Sequence, residues 1–422
     1  MLDKKIEDTF ISALHDELIL AMGCTEPIAL AYASAKAREL LGEIPTKIVA
    51  VCSGNIIKNV RCVKIPNSNG QRGIEVAVAL GAVGGDASLG MEVLSGVTSE
   101  HAEKAKRLAK SQCSVEYLDS DIPLHFIIKM YSESNSSTVE VRHSHTNIVR
   151  MKKNGALVFS NLEDNGIHRS ISRESYSVEN IKRFADEVEL SKIEQLIERQ
   201  IRCNMAIAEE GMRGGYGLEI GKTILDACED TVTSKMKAYA AAASEARMDG
   251  CDMPVAINSG SGNQGIASSV PVIVYAREKG YGKEALYRAL VFSALLTIYQ
   301  KNFIGKLSAF CGAVSASCAA GAAITYISGG TTRQIEDTIS NTLANIPGII
   351  CDGAKVSCAA KIASSIDAAM MAHCLAIRGK VYAESSGIIR DTVDNTISSV
   401  GHIGRVGMKE TDKDIIREML EQ

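Results

Sequence analysis

At 422 residues, with 46% hydrophobic and 23% charged side chains, the chain is too apolar to be disordered or collagen-like, and it is long enough for two or three domains. A formal net charge of −4 leaves no basic footprint, which argues against nucleic acid as a partner. There are 12 cysteines, and the opening Met1-Leu2-Asp3-Lys4-Lys5 leads into an amphipathic pattern with no apolar signal core. A reducing, cytoplasmic compartment is therefore expected, with cysteines as thiols or ligands in place of bridges.

Ile6, Phe10, Ile11, Leu14 and Leu18 recur at helical spacing and predict a helix from residue 4 to about 21, broken by Gly23. Pro27 opens a second helix that Gly42 stops. From Lys47 the texture is β-branched, and strands are predicted at 47–53, 60–65, 113–118, 125–131, 138–143, 148–151 and 156–159. Asn154-Gly155 is a type I′ hairpin signal. Helices are expected at 73–90 and 99–111, and the polar run 162–175 suits a boundary. Beyond Ser177 nearly everything reads as helix: 178–202, 203–210, 218–228, 232–248, 267–279, 283–300, 309–328, 332–345 and 355–376. A charged tail helix follows, with Thr411 and Asp414 as a capping-box-like start. The stretch 309–327 is long enough to span a membrane, but its Gly, Ala, Ser and Cys predict a buried helix, so no membrane partner is expected. The predicted architecture is α+β, with a mixed α/β domain over 1–170 and an all-helical domain over 171–422. The helical segment 4–42 is a candidate to pack on the second domain, and the Gly/Ala-rich helices suit a homodimer.

No cysteine belongs to a C-x-x-C pair, which excludes ordinary zinc ribbons and thioredoxin-like motifs. Cys351 is expected in a loop after Pro347-Gly348, and Cys358 in or near the first turn of the next helix, where a folded-back loop can aim both thiols at one object. Iron–sulfur clusters are held by such thiolates, and amides at a helix start offset their charge. Cys311 and Cys318 share a helix face but stand roughly 10 Å apart along it, so one ligand is expected there. Cys52, Cys62, Cys113, Cys203, Cys228, Cys251 and Cys374 are expected as packing residues, and so, on balance, is Cys318.

Cys24 stands just before a helix, with Thr25 or Glu26 as cap, where a helix terminus favours thiolate. It reads equally as a nucleophile, base or metal ligand and as a half-buried thiol beside a cap. The loop Ser259-Gly260-Ser261-Gly262-Asn263-Gln264-Gly265 precedes a helix and can cradle a carboxylate or a phosphate on its amides. Asn55 and Lys58, at an expected strand–loop junction, are candidate carboxylate binders or simply an exposed turn. The glycine-rich run 211–217 has no preceding strand and reads weakly as a phosphate loop. His143, His145, His168, His373 and His402 show no metal-ligand spacing.

Together, Gly23-Cys24-Thr25-Glu26-Pro27, Ser53-Gly54-Asn55, Lys58-Asn59-Val60, the 259–265 loop and the runs 306–312 and 351–358 resemble the UPF0597 or YhaM-like proteins over essentially the whole chain. That group includes bacterial and archaeal L-cysteine desulfidases and is related, mainly in the helical part, to the α-chain domain of iron–sulfur L-serine dehydratases. The resemblance implies an oxygen-sensitive [4Fe–4S] cluster on Cys311, Cys351 and Cys358, with one iron open to substrate. It also implies Cys24 as a base or displaceable fourth ligand. The short interval from Cys351 to Cys358, and the lack of any cysteine after Cys374, depart from the serine dehydratases and favour the desulfidase side.

The expected function is therefore cluster-dependent α,β-elimination of a small amino acid, foremost L-cysteine, to pyruvate, ammonia and sulfide. Cys24 and Glu26 are expected in catalysis, with Asn55, Lys58, Ser259, Gly260, Ser261, Gly262, Asn263 and Gln264 holding substrate. The rivals are an iron–sulfur L-serine dehydratase, a pyridoxal-phosphate lyase with a Schiff-base lysine, and a sensor that binds an amino acid or cluster without turnover.

Overall fold

The computed structural model describes residues 3–161 and 176–421. The expected boundary at 162–175, and His168 with it, lies outside the described residues. The N-terminal part mixes strands and helices, and the C-terminal part is almost entirely helical.

Asp3 caps α1 (Lys4–Glu17) by accepting a hydrogen bond from the Lys5 amide. The helix ends earlier than its apolar spacing predicts, because Leu20–Met22 forms a short strand, β1. Then follow α2 (Thr25–Leu41), β2 (Lys47–Ser53), α3 (Gly54–Val60), α4 (Ile74–Gly84), α5 (Ser99–Gln112) and β3 (Cys113–Leu118). Four antiparallel strands complete the region: β4 (His125–Tyr131), β5 (Ser136–Arg142), β6 (Ile148–Lys153) and β7 (Ala156–Ser160). The sheet order is β3-β2-β4-β5-β6-β7, with only β2 and β3 parallel, and α2 and α4 pack on it.

The strand expected at 60–65 is absent; residues 54–60 are helical instead. Residues 61–65, which follow that helix, form bends with one isolated bridge from Lys64 to Arg72, and bury Val63 and Ile65 without a strand. The helix expected over 73–90 stops at Gly84, and a short 3₁₀ turn covers Ala87–Glu92.

The helical region comprises α6 (Val178–Glu187), α7 (Glu194–Arg213), α8 (Ile220–Ala227), α9 (Val232–Met248), α10 (Gly262–Lys279), α11 (Lys283–Ile304), α12 (Gly312–Ile327), α13 (Thr332–Asn345), α14 (Cys358–Ile377), α15 (Val393–His402) and α16 (Lys409–Leu420). One strand interrupts it: β8 (Pro254–Ala256), unforeseen in the sequence, pairs with β1 and ties the first segment to the helices. Alanine-rich α9 packs against α7, α8, α10 and α14, and α12 against α10, α11, α13 and α14. Small side chains allow these close approaches. A Cβ on Gly211 or Gly265 would overlap the backbone of Ala242 or Ala256.

α12 is buried as expected, with Ala316, Ala319 and Ala322 at 0% exposure. Among the described residues, α14 is the one helix long and apolar enough to cross a membrane, and half of its apolar window is buried in the fold. α16 starts at Lys409, before Thr411, without a side-chain cap.

Candidate active site

Four helix N-termini meet at one cavity of about 80 Å³, room for several water-sized groups. They are those of α2, capped by Cys24, of α10, capped by Ser261, of α12, capped by Cys311, and of α14, which begins at Cys358. None of these caps hydrogen-bonds the helix amides through its side chain. Each terminus therefore directs positive dipole density at the same space.

Cys311 and Cys351 are brought together by backbone pairing. The Cys311 amide donates to Ile349 O at 2.8 Å, the Cys351 amide donates to Ala309 O at 2.7 Å, and Phe310 faces Ile350 in an antiparallel bridge. Gly348 lies under the Phe310 ring, where any Cβ would overlap it. The two thiols share a hydrogen bond, which with the Lys58 and Lys361 charges holds Cys351 below the usual thiol value despite burial. The same contact, and burial, push Cys311 up. Cys358 lines the same wall, and burial raises its pKa too. Cys318 is fully buried inside α12, packed away from the cavity. All twelve cysteines are free; Cys228 and Cys374, expected as packing residues, are exposed. Among the described residues no three His, Cys, Asp or Glu side chains are grouped to hold a single metal ion.

Opposite the thiols stands Glu26, buried in the first turn of α2. Its Oε2 accepts from the Cys24 thiol and from Thr25 Oγ1, both at 3.1 Å. Burial disfavours the charge, but the His145 imidazole, 3.8 Å from Oε1, and the Cys24 thiol hold Glu26 near 2. Cys24 is accordingly not the thiolate its helix-start position predicts. Burial first, and the Glu26 charge second, push its pKa well up. His145, which carries no sequence signal, arrives from the β5–β6 turn.

The 259–265 loop is a tight turn. Asn258 and Ser261 exchange backbone hydrogen bonds at 3.0 and 3.1 Å, and Ser259 and Gly260 both have positive φ (49° and 79°). Gly260, Ser261, Asn263 and Gln264 line the cavity, whereas Ser259 turns its hydroxyl to Asn258 Oδ1 at 2.8 Å. Gly262 lies beneath Arg247, where a Cβ would overlap the guanidinium.

Asn55 and Lys58 stand on α3, not at a strand–loop junction, and both side chains are engaged by Asp412 of α16, at 2.7 and 2.5 Å. Asn59, one residue further, reaches the cavity. In the glycine-rich run before α8, carboxylates take the Gly215 and Gly217 amides, which donate to Glu219 and Asp249, and just beyond it Leu218 and Ile220 donate to Glu245. That leaves it no phosphate-loop geometry. Sequence reasoning missed three cavity cations, Arg247, Lys301 and Lys306. Lys301 is buried in α11, and burial lowers its pKa to about 8 even with Cys311 and Cys351 nearby.

A UPF0597 protein of Lachnoclostridium phytofermentans is 47% identical over 97% of this chain and 99% of its own. One from Desulfitobacterium hafniense is 45% identical over 98% of this chain and 97% of its own, and one from Finegoldia magna is 45% identical over 98% and 99%. The sequence pattern of the serine dehydratase alpha chain family matches residues 88–417. The chain belongs to both families. In this UPF0597 protein the matched span includes Arg247, the 259–265 loop and the three cavity cysteines after it, whereas Cys24, Glu26 and Asn59 precede it. The cavity is thus closed by an N-terminal segment outside the serine dehydratase pattern.

Proposed function

We propose that the protein is a lyase that eliminates the β-substituent of a small L-amino acid, foremost the thiol of L-cysteine, with a [4Fe–4S] cluster held by Cys311, Cys351 and Cys358. The observation that carries this reading is the convergence of three thiols, Cys311 from one segment and Cys351 and Cys358 from another, on one cavity ringed by cations and helix N-termini. A cluster spreads its ligands over several irons, so its thiols need not crowd one point as a single ion requires. The donor set fits such a group. One thiol is already held toward thiolate, and the buried Arg247 and Lys301 offset a polyanion. When bound, the cluster supplies a Lewis-acidic iron.

The chain's own groups do the rest. Glu26 keeps a negative charge in a buried site, and Cys24 holds a proton on the hydrogen bond between them. As the Cys24 sulfur takes the Cα proton, its own proton passes to Glu26, and the leaving thiol departs as hydrosulfide. The aminoacrylate product is released and hydrolyses in water to pyruvate and ammonia. Asn263 and Gln264 border the space where the amino acid sits. The related lyase family supports the reaction class, with L-serine as the alternative substrate.

Anaerobic reconstitution followed by pyruvate and sulfide assays on L-cysteine and L-serine is the test. Cys351→Ala is expected to lose iron, colour and turnover together; a brown, active Cys351→Ala protein overturns the assignment. Lys301 favours a second reading, since a buried lysine lowered to about 8 beside an anion loop suits a pyridoxal-phosphate Schiff base. Borohydride trapping of a pyridoxyl group on Lys301 would establish it, and iron and sulfide at cluster stoichiometry would exclude it.

A further inference from the structure

We propose that Arg247 anchors the α-carboxylate of the substrate and so makes the cavity selective for amino acids over amines; the inference rests on the amino-acid reading above. Arg247 is 2% exposed, and a buried guanidinium normally has its donors satisfied. Here only Nη1 is engaged, donating to Asn263 Oδ1 at 3.1 Å, while Nε and Nη2 are buried without a partner. Those two donors form the edge of the guanidinium that matches the two oxygens of a carboxylate. No carboxylate of the protein lies within ion-pair distance of this side chain among the described residues.

Two neighbours point the same way. Gly262 leaves empty the volume the guanidinium occupies, so the glycine in the turn makes room for the cation as well as for the chain reversal. Gln264, 4% exposed on the same wall, has a buried Oε1 with no partner. Unpaired donors and an unpaired acceptor in one cavity match the carboxylate and ammonium of an α-amino acid.

The test measures binding by calorimetry to the anaerobically reconstituted protein, with ligands that have no leaving group: L-alanine, ethylamine and propionate. Wild type is expected to bind L-alanine at least tenfold more tightly than ethylamine. Arg247→Lys is expected to weaken L-alanine at least tenfold, leave ethylamine unchanged, and raise KM for L-cysteine more than it lowers kcat, with iron content retained. Gly262→Ala, which crowds the guanidinium without removing it, is expected to weaken L-alanine in the same direction and provides the test if Arg247→Lys does not fold. Equal affinity for L-alanine and ethylamine in wild type, or an unchanged preference in both variants, overturns the anchor and leaves the elimination reading standing. Failure of wild type to bind any of the three, or to turn over L-cysteine and L-serine, overturns both.

Discussion

Glu26 is a carboxylate kept charged inside the protein, and its neighbours decide what that is worth. Its pKa falls from the usual 4.5 to about 2, because His145 and the Cys24 thiol outweigh the penalty of burial. A carboxylate with a depressed folded-state pKa stabilises the fold above the unfolded value, and that contribution is lost as pH falls toward the folded value. Glu26→Gln is therefore expected to be less stable than wild type at neutral pH, by up to ~3 kcal/mol. The difference should shrink between pH 4.5 and about 2. Urea unfolding across that range checks it, and a gap that widens on acidification would sink the account. At the same scale, Cys351 and Cys358 were readable from sequence because loop and helix start are local. Arg247, Lys301 and His145 were not. Each is an isolated polar residue in an unremarkable helix or turn, with no local pattern to mark it.

Between elements, glycine sets the distances. α2 and α4 cross so closely that a Cβ on Gly81 would overlap Ala31 O, and no flexible side chain is there to give way. Gly81→Ala should therefore cost about 1–3 kcal/mol, the usual range for overpacking, although alanine is the better helix former. Thermal or denaturant unfolding measures it, and a neutral or stabilised variant would mean that the helices slide apart freely. The displacement would be felt at Cys24 and Glu26, which open α2. Element types were largely legible because the period-2 and period-3.6 patterns switch cleanly at Lys47 and again after Ser177. Two failures have different causes: residues 60–65 are β-branched but too few to show a period, whereas Pro254–Ala256 is a strand only because Leu20–Met22 pairs with it.

For the whole molecule, α16 acts as a clasp. Asp412 binds both Asn55 and the fully buried Lys58 of α3, Lys409 pairs with Asp121 in the loop after β3, and Gly54 packs against Ile416. Nothing local in a charged tail announces this, since the partners of Asp412 lie more than 350 residues earlier and that of Lys409 lies 288 earlier. Asp412→Asn strands a buried ammonium and is expected to cost about 2–4 kcal/mol. Adding Lys58→Met should recover most of that loss. A single variant within ~0.5 kcal/mol of wild type, in the range of ordinary surface changes, would show the clasp to be idle.

The cavity walled by four helix starts also has a history in time. Cys24 and Cys358 stand 334 residues apart in the chain. The space between them exists only after translation has passed both and the intervening helices have docked. The cluster proposed for this cavity would therefore load onto a folded chain, and by favouring the folded form it would raise the unfolding midpoint. Losing it, by oxidation for instance, would then be read by a cell's proteases as loosening of the entire polypeptide.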